Sequence, residues 1–320
     1  MKVCVIGGGI IGLSVAWECQ RRGHAVVVAD PAPASGASRV AAGMLAPISE
    51  AYFGEEELTR LLMAAAQSWP AFASALGPCG YSESSTLHVG LTADDQAELR
   101  RLWQIQPVER VVPQELEPSL SPRARGGLVR SDHQVDPRQV MRELLKHVTI
   151  VPSAQEADVT VIAAGCGSAA FGLPVRPVKG VLLRLHGPRV LSHVIRGYAD
   201  GTPVYLVPRA TGEVVVGASV SERQGELAEA GAVRDLLRAA TDLVPDLAEH
   251  DLTEVCVGFR PGTPDNGPLV GWIRPGVLAA TGHYRHGVLA APLTALAIAD
   301  AVDGKPLPDI WEPFSPGRFA

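Results

Sequence analysis

Short apolar runs that end in glycine alternate along this chain with longer stretches of helical period. "VCVI" (3–6) has no polar interruption and runs into glycines, which predicts a strand buried on both faces. "IGLSVAWECQRRG" (11–23) puts Ile11, Val15 and Cys19 on one face and Gly23 at its end, which predicts a helix with a glycine stop. "HAVVVAD" (24–30) predicts a second buried strand. Strand, glycine turn, helix and strand within about 30 residues make one βαβ unit. From Glu55 to Leu76 the period is helical again, and the stretch opens with acidic residues, which the positive end of a helix favours. Near the end, "GVLAATG" (276–282) predicts a strand, and "GVLAAPLTALAIADAVDG" (287–304) a long apolar helix with Gly304 beyond it.

The middle of the chain has a different rhythm. "TLHVGL", "GGLVRS", "VLLRLHG", "PVYLVP" and "EVVVGAS" are short and separated by turn residues. "VYLVPRATGEVVVGAS" is the clearest hairpin, with Gly212 in its turn. These pieces predict an antiparallel sheet. "ADVTVIAAG" (157–165) interrupts them with another buried, parallel-type strand. The expected fold class is therefore α/β (α+β): a Rossmann-like nucleotide-binding domain interleaved with a smaller antiparallel-sheet domain. The expected division gives 1–80, 133–180 and 257–320 to the first, and 81–132 and 181–256 to the second.

Composition narrows the classes. The 320 residues, 47% hydrophobic and 19% charged, are ordinary for a soluble globular protein able to bury a large core. A net charge of −6 without any basic run argues against nucleic acid as a partner. The five cysteines (Cys4, Cys19, Cys79, Cys166, Cys256) are scattered and lack C-x-x-C spacing. That argues against a disulfide framework or a metal site and fits a reducing cytoplasm. The chain opens directly on "MKVCVIGGG", where no signal peptide is read. The late apolar run holds Pro292 and Asp300 and is too short to span a membrane. No repeat and no low-complexity tract is found.

The chemistry begins with Gly7, Gly9 and Gly12, a G-x-G-x-x-G between strand and helix. The first glycine permits the tight turn, the second the approach of a pyrophosphate, and the third close helix–strand packing. The helix N-terminus adds N–H donors and positive dipole. Asp30 ends the second strand, where a carboxylate meets ribose hydroxyls. This points to dinucleotide binding and away from NADP, and it leaves NAD and FAD open. "GASRVAAGMLAP" (36–47) reads by itself as a small-residue loop. "GFRPGTPDNGPLVGW" (258–272) carries a single charged donor, Arg260. A guanidinium there is either a solvated loop residue or a fork waiting for a carboxylate.

The stretches "VIGGGIIGLSVAWEC", "ASRVAAGMLAP", "PVKG" (177–180), "VYLVPRATGEVVVGAS", "GFRPGTPDNGPLVG" and "ATGHYRHGVLAAP" together resemble the D-amino acid oxidase family of FAD enzymes. Within it they are closest to the glycine oxidases of thiamine biosynthesis. The resemblance spans the whole chain in order. It implies noncovalent FAD, with contacts at Gly7, Gly9, Ile10, Ile11, Gly12, Asp30, Pro31, Ala37, Ser38, Ala42, Gly43, Met44, Ala164 and Gly165. Further contacts are implied from His283 through Tyr284, Arg285, His286, Gly287 and Val288 to Leu289. It implies a substrate carboxylate held by Tyr205 and Arg260 with help from Arg285, and no side chain acting as acid or base. The implied reaction moves hydride from Cα of glycine or another small amino acid to flavin N5. Dioxygen becomes peroxide, and iminoglycine goes to thiazole formation. A D-amino acid or sarcosine oxidase or dehydrogenase is the alternative. A small amino acid and O2 are thus the expected partners, without a membrane, and a homo-oligomer is compatible with the reading.

The chain departs from the family pattern in places. The ribose position holds Asp30 rather than glutamate, and Pro31 follows it. The stretch between "VDPR" and "VIAAG" is short for the family, and "TIVPSAQEAD" (149–158) gives no match to the adenine-side backbone contact. His186–Thr202 is too short for the lid of mammalian D-amino acid oxidases.

Overall fold

The computed structural model describes residues 1–319. Its strands in chain order are β1 (Lys2–Ile6), β2 (Ala25–Ala29), β3 (Met44–Leu45), β4 (Thr86–Gly90), β5 (Glu109–Val111) and β6 (Arg125–Val129). They continue with β7 (His133–Gln134), β8 (Thr149–Val151), β9 (Val159–Ile162), β10 (Arg176–His186) and β11 (Val194–Ala199). The last five are β12 (Thr202–Pro208), β13 (Glu213–Gly217), β14 (Asp251–Gly262), β15 (Leu269–Arg274) and β16 (Val277–Thr281).

Two large sheets result. One has the order β15-β16-β9-β1-β2-β8, parallel except for the edge strand β15. Helix Ile10–Arg21 crosses from β1 to β2 as the apolar pattern requires. Helix Gly287–Val302 is apolar on nearly every side, so it is buried rather than amphipathic. It packs against helices Ile10–Arg21 and Glu56–Leu76, and Trp69 of the latter donates its Nε1–H to the Leu289 carbonyl at 2.9 Å.

The other sheet has the order β14-β10-β13-β12-β11-β4-β6-β5. It is antiparallel except where β4 and β11 run parallel, which the sequence pattern did not predict. Parallel neighbours need a long crossover. Here more than a hundred residues separate them, and that excursion passes through the other sheet. The β12–β13 hairpin turns at Arg209–Gly212, with Gly212 at φ +88°. The longest pair, β10 with β14, lies in this sheet along its whole length. Residues 176–180 and 257–262 therefore belong to this sheet, although the sequence-based division assigned them to the nucleotide domain. The remaining helices longer than two turns are Ala93–Leu102, Pro137–Leu145 and Ala230–Leu243, the last covering the apolar face of the eight-stranded sheet with Leu236, Ala240 and Leu243. No helix among the described residues is long and apolar enough to cross a membrane.

Candidate active site at the seam of the two sheets

A cavity of about 1450 Å³ runs between the sheets, from Asp30 and Pro31 at one end to Tyr205, Arg260 and Arg285 at the other. It exceeds the roughly 300–1,000 Å³ of an ordinary small-molecule pocket. One end is lined by the glycine turn. Gly7 has φ +111°, which an L side chain rarely adopts. A Cβ on Gly12 would overlap the Gly7 carbonyl, so the third glycine sets the helix against the strand. The Asp30 carboxylate takes N–H donors from Gly8 (2.6 Å) and Ala32 (2.8 Å), and Ile10 N–H donates to Ser38 Oγ at 3.1 Å. Backbone donors, the positive helix end and a fixed carboxylate thus converge on a wall of glycine and alanine. That is the chemistry a dinucleotide requires.

The middle of the cavity is walled by residues 42–44. Gly43 (φ +83°) has no room for a Cβ, which would strike the Val135 carbonyl. Arg209, buried at the start of the hairpin turn, donates to the Ala42 carbonyl and to Gln134 Oε1 (2.8 Å). Burial pushes its guanidinium down to about 10. This arginine ties the wall to the hairpin turn of the eight-stranded sheet and to β7.

The far end is a row of side chains read straight across five strands: Leu182, Gly217, Tyr205, Arg196 and His88 are successive register partners. Opposed residues point to the same face, so the row faces the cavity. Arg260 on β14 stands opposite Val178, and Gly180 is its diagonal neighbour. A Cβ on Gly180 would lie 2.5 Å from the Arg260 guanidinium, and one on Gly217 would strike the Tyr205 ring. Two glycines therefore make the floor on which these two side chains lie.

Three arginines line the cavity. Arg196 pairs with Glu50 at 3.1 Å, and Arg285 with Glu55 at 2.6 Å. Arg260 has no carboxylate partner among the described residues; its only acceptors are the carbonyls of Ser219 (3.3 Å) and Lys179 (3.4 Å). These three arginines and two glutamates sum to one positive charge. Burial would raise the Glu50 carboxyl, but His286, Arg196 and Arg285 hold it down at about 2, so it stays ionised. Burial pushes the Tyr205 phenol up to about 12 against the pull of Arg260, which keeps it a donor. Burial also drives His283 down to about 3, where it shares a hydrogen bond with Thr294 Oγ1 (3.0 Å). His88 is likewise at about 3, so it is neutral. Trp103 Nε1–H donates to His88 Nδ1 (3.0 Å), which places the ring proton on Nε2, facing Ser49 Oγ at 2.6 Å. Ser49 in turn donates to Asp132.

The family described as FAD dependent oxidoreductase (DAO) matches residues 2–150 and 145–301. The chain belongs to this family. A Geobacillus kaustophilus glycine oxidase is 29% identical over 98% of this chain and 96% of its own. Its crystal structure superposes with a TM-score of 0.89, covering 99% of this chain and 98% of that one at 28% identity. A Rhizobium etli protein provisionally named thiamine biosynthesis oxidoreductase ThiO is 34% identical over 93% of this chain and 95% of its own. A bifunctional ThiO/ThiG protein of Trichormus variabilis is 30% identical over 99% of this chain, which spans 55% of that longer protein.

As a member of the FAD-dependent oxidoreductases the chain uses FAD, and the glycine cradle of the cavity, with no space for added Cβ atoms, fits that group. Of the residues expected at the cofactor, Gly7, Gly9, Ile10, Ile11, Asp30, Pro31, Ala37, Ser38, Ala42, Gly43, Met44, Ala164 and Gly165 line the cavity. So do His283, Tyr284, Arg285, Gly287 and Val288, together with the substrate candidates Tyr205 and Arg260. Three of the expected contact residues do not line the cavity. Gly12 packs beneath the glycine turn instead of facing the cavity. His286 turns behind the wall, its Nδ1 3.3 Å from Glu50. Leu289 lies on the core side of its helix, among the residues packed against Trp69. Arg285 lines the cavity but is already engaged by Glu55. Residues 149–158 do not line the cavity. Glu50, Glu55, Arg196, Arg209, Gly180 and Gly217 were not singled out in the sequence. The two glycines lay within quoted stretches, "PVKG" and "EVVVGAS", but only the sheet register reveals what they accommodate.

Proposed function

We propose that the protein oxidises glycine or a comparably small amino acid, with dioxygen as the final acceptor. The carrying observation is Arg260: a guanidinium in the cavity wall with no carboxylate partner, beside a phenol held as a donor. A substrate carboxylate supplies the missing partner through the planar fork. One carboxylate also neutralises the single surplus charge of the three arginines and two glutamates. Arg196 and Arg285 are held by Glu50 and Glu55 and frame the site electrostatically. Tyr205 donates to the same carboxylate. Bound FAD supplies the redox chemistry, taking two electrons from the amine carbon and passing them to O2 as peroxide. The chain's contribution is to bind, orient and keep the site dry. The imine product is hydrolysed to the 2-oxo acid and ammonia, or is consumed in thiazole formation. The names of the glycine oxidase and ThiO relatives support both the substrate and the thiamine role.

The test is a panel of glycine, sarcosine and D-amino acids with peroxide detection and anaerobic flavin bleaching. Glycine is expected among the best substrates. A flavin that none of these bleaches would overturn the reading. Strong preference for a larger D-amino acid would move the protein to the neighbouring oxidases.

A further inference from the structure

Residues 218–229 join β13 to helix Ala230–Leu243 and cross the mouth of the cavity, which Val220, Glu226, Leu227 and Ala228 line. Val220 and Leu227 are the two most exposed large apolar side chains of the described residues, at 67% and 85%. A single exposed leucine needs no explanation. Two on one segment, both at the rim of the site, do.

One residue ties this segment down at both ends. Lys179, only 2% exposed, exchanges backbone hydrogen bonds with Ser221 (2.8 and 3.0 Å). Its Nζ reaches across to the Leu227 carbonyl (2.6 Å) and Glu229 (2.8 Å). A buried ammonium is costly unless it is paired, so this is a built anchor. Between the anchors, no backbone amide from Glu222 to Ala228 bonds to another backbone group. Segments held this way open easily. The roots of the segment also meet the substrate clamp: the two carbonyls that Arg260 approaches belong to Lys179 and to Ser219.

We propose that residues 219–229 form a strap that closes over the occupied cavity, with Lys179 as its latch. Closure brings Val220 and Leu227 down onto the mouth and excludes water from the bound amino acid. A carboxylate on Arg260 competes with the Ser219 and Lys179 carbonyls, so occupancy is felt at the strap's root. Lys179 is here a positioning residue. The proposal rests on the carboxylate reading of Arg260.

The experiment uses the holoenzyme and acetate, a carboxylate with no amine to oxidise. Acetate binding is followed by the flavin absorbance, and hydrogen exchange is measured in peptides covering 219–229. Saturation is expected to slow exchange there by about tenfold or more. Lys179→Met should abolish the slowing while the flavin still reports bound acetate. Glu229→Gln, a milder change, should weaken it in the same direction and serves if Lys179→Met does not fold. Leu227→Ser should also reduce the protection without loss of FAD. Equal exchange with and without acetate, while the flavin signals binding, overturns the strap and leaves the oxidase reading standing. If acetate neither perturbs the flavin nor competes with the amino acid, the carboxylate clamp itself falls, and the strap with it.

Discussion

Replacing Arg260 by alanine is the most direct perturbation of the proposed chemistry. In the free protein its guanidinium makes only two long contacts, 3.3 and 3.4 Å, to carbonyl groups. Neither is a strong hydrogen bond, so removing the side chain takes little from the folded state. The loss falls on the substrate complex. Truncating one side of a desolvated charge pair costs about 2–5 kcal/mol. At about 1.4 kcal/mol per factor of ten, that is about 30-fold to several thousand-fold in kcat/KM. Arg260→Lys keeps the charge but loses the fork, and should recover part of the loss. Tyr205 remains as a donor in both, so activity should not vanish. The assay is steady-state peroxide production on glycine, with FAD content and Tm measured on the same preparations. Amines without a carboxylate serve as internal control and should hardly respond. Full activity in Arg260→Ala, or loss of FAD as the only effect, would refute the clamp.

Further outcomes follow from neighbouring features. Gly217→Ala places a methyl against the Tyr205 ring, and should raise KM for amino acids while FAD is retained. Glu50 sits at about 2 instead of 4.5, so its pairing stabilises the fold above pH 4.5 and is lost as pH falls toward 2. The Tm gap between wild type and Glu50→Gln should therefore close in acid; a gap independent of pH would contradict the pairing. Asp132 has the opposite sign: burial raises it from 3.8 to about 6, against the hydrogen bond from Ser49. Its ionisation weakens the fold as pH rises from 3.8 to 6, by about 3 kcal/mol over roughly two pH units. Asp132→Asn should thus gain stability relative to wild type between pH 4 and 7.5, seen as a rising Tm difference. Acid precipitation should release free FAD and leave a colourless pellet. Cys256 is absent from the cavity lining, and burial raises the thiol of Cys166, which does line the cavity, to about 11, a poor nucleophile.

The glycine turn, the first βαβ unit and the late apolar helix were legible because each is written in a local period. Arg260 stood out because it is the lone charged donor in its stretch. The row Leu182, Gly217, Tyr205, Arg196 and His88 could not be read the same way. It is assembled by register between strands far apart in the chain, and Arg196 looks in "VIRGYA" like any residue of an alternating strand. The pairing of Arg285 with Glu55 joins positions 230 residues apart, and no spacing rule reaches that far. The parallel pairing of β4 and β11 was missed for the same reason. That His286 and Leu289 lie outside the cavity lining was not legible in the resemblance, which transfers a run of residues but not which side of a helix each one faces.

The six-stranded sheet draws β1 from the first residues of the chain and β16 from residues 277–281. Its centre is β9 and β1 side by side, more than 150 residues apart. During synthesis the sheet therefore cannot be completed until nearly the whole polypeptide has emerged. Until then the early strands are exposed, apolar and without their neighbours, the state in which a growing chain is most prone to aggregate. Neither half of this protein is a unit that a gene could lend to another by simple truncation. An insertion tolerated by this sheet has to fall in a connection between strands that are already paired.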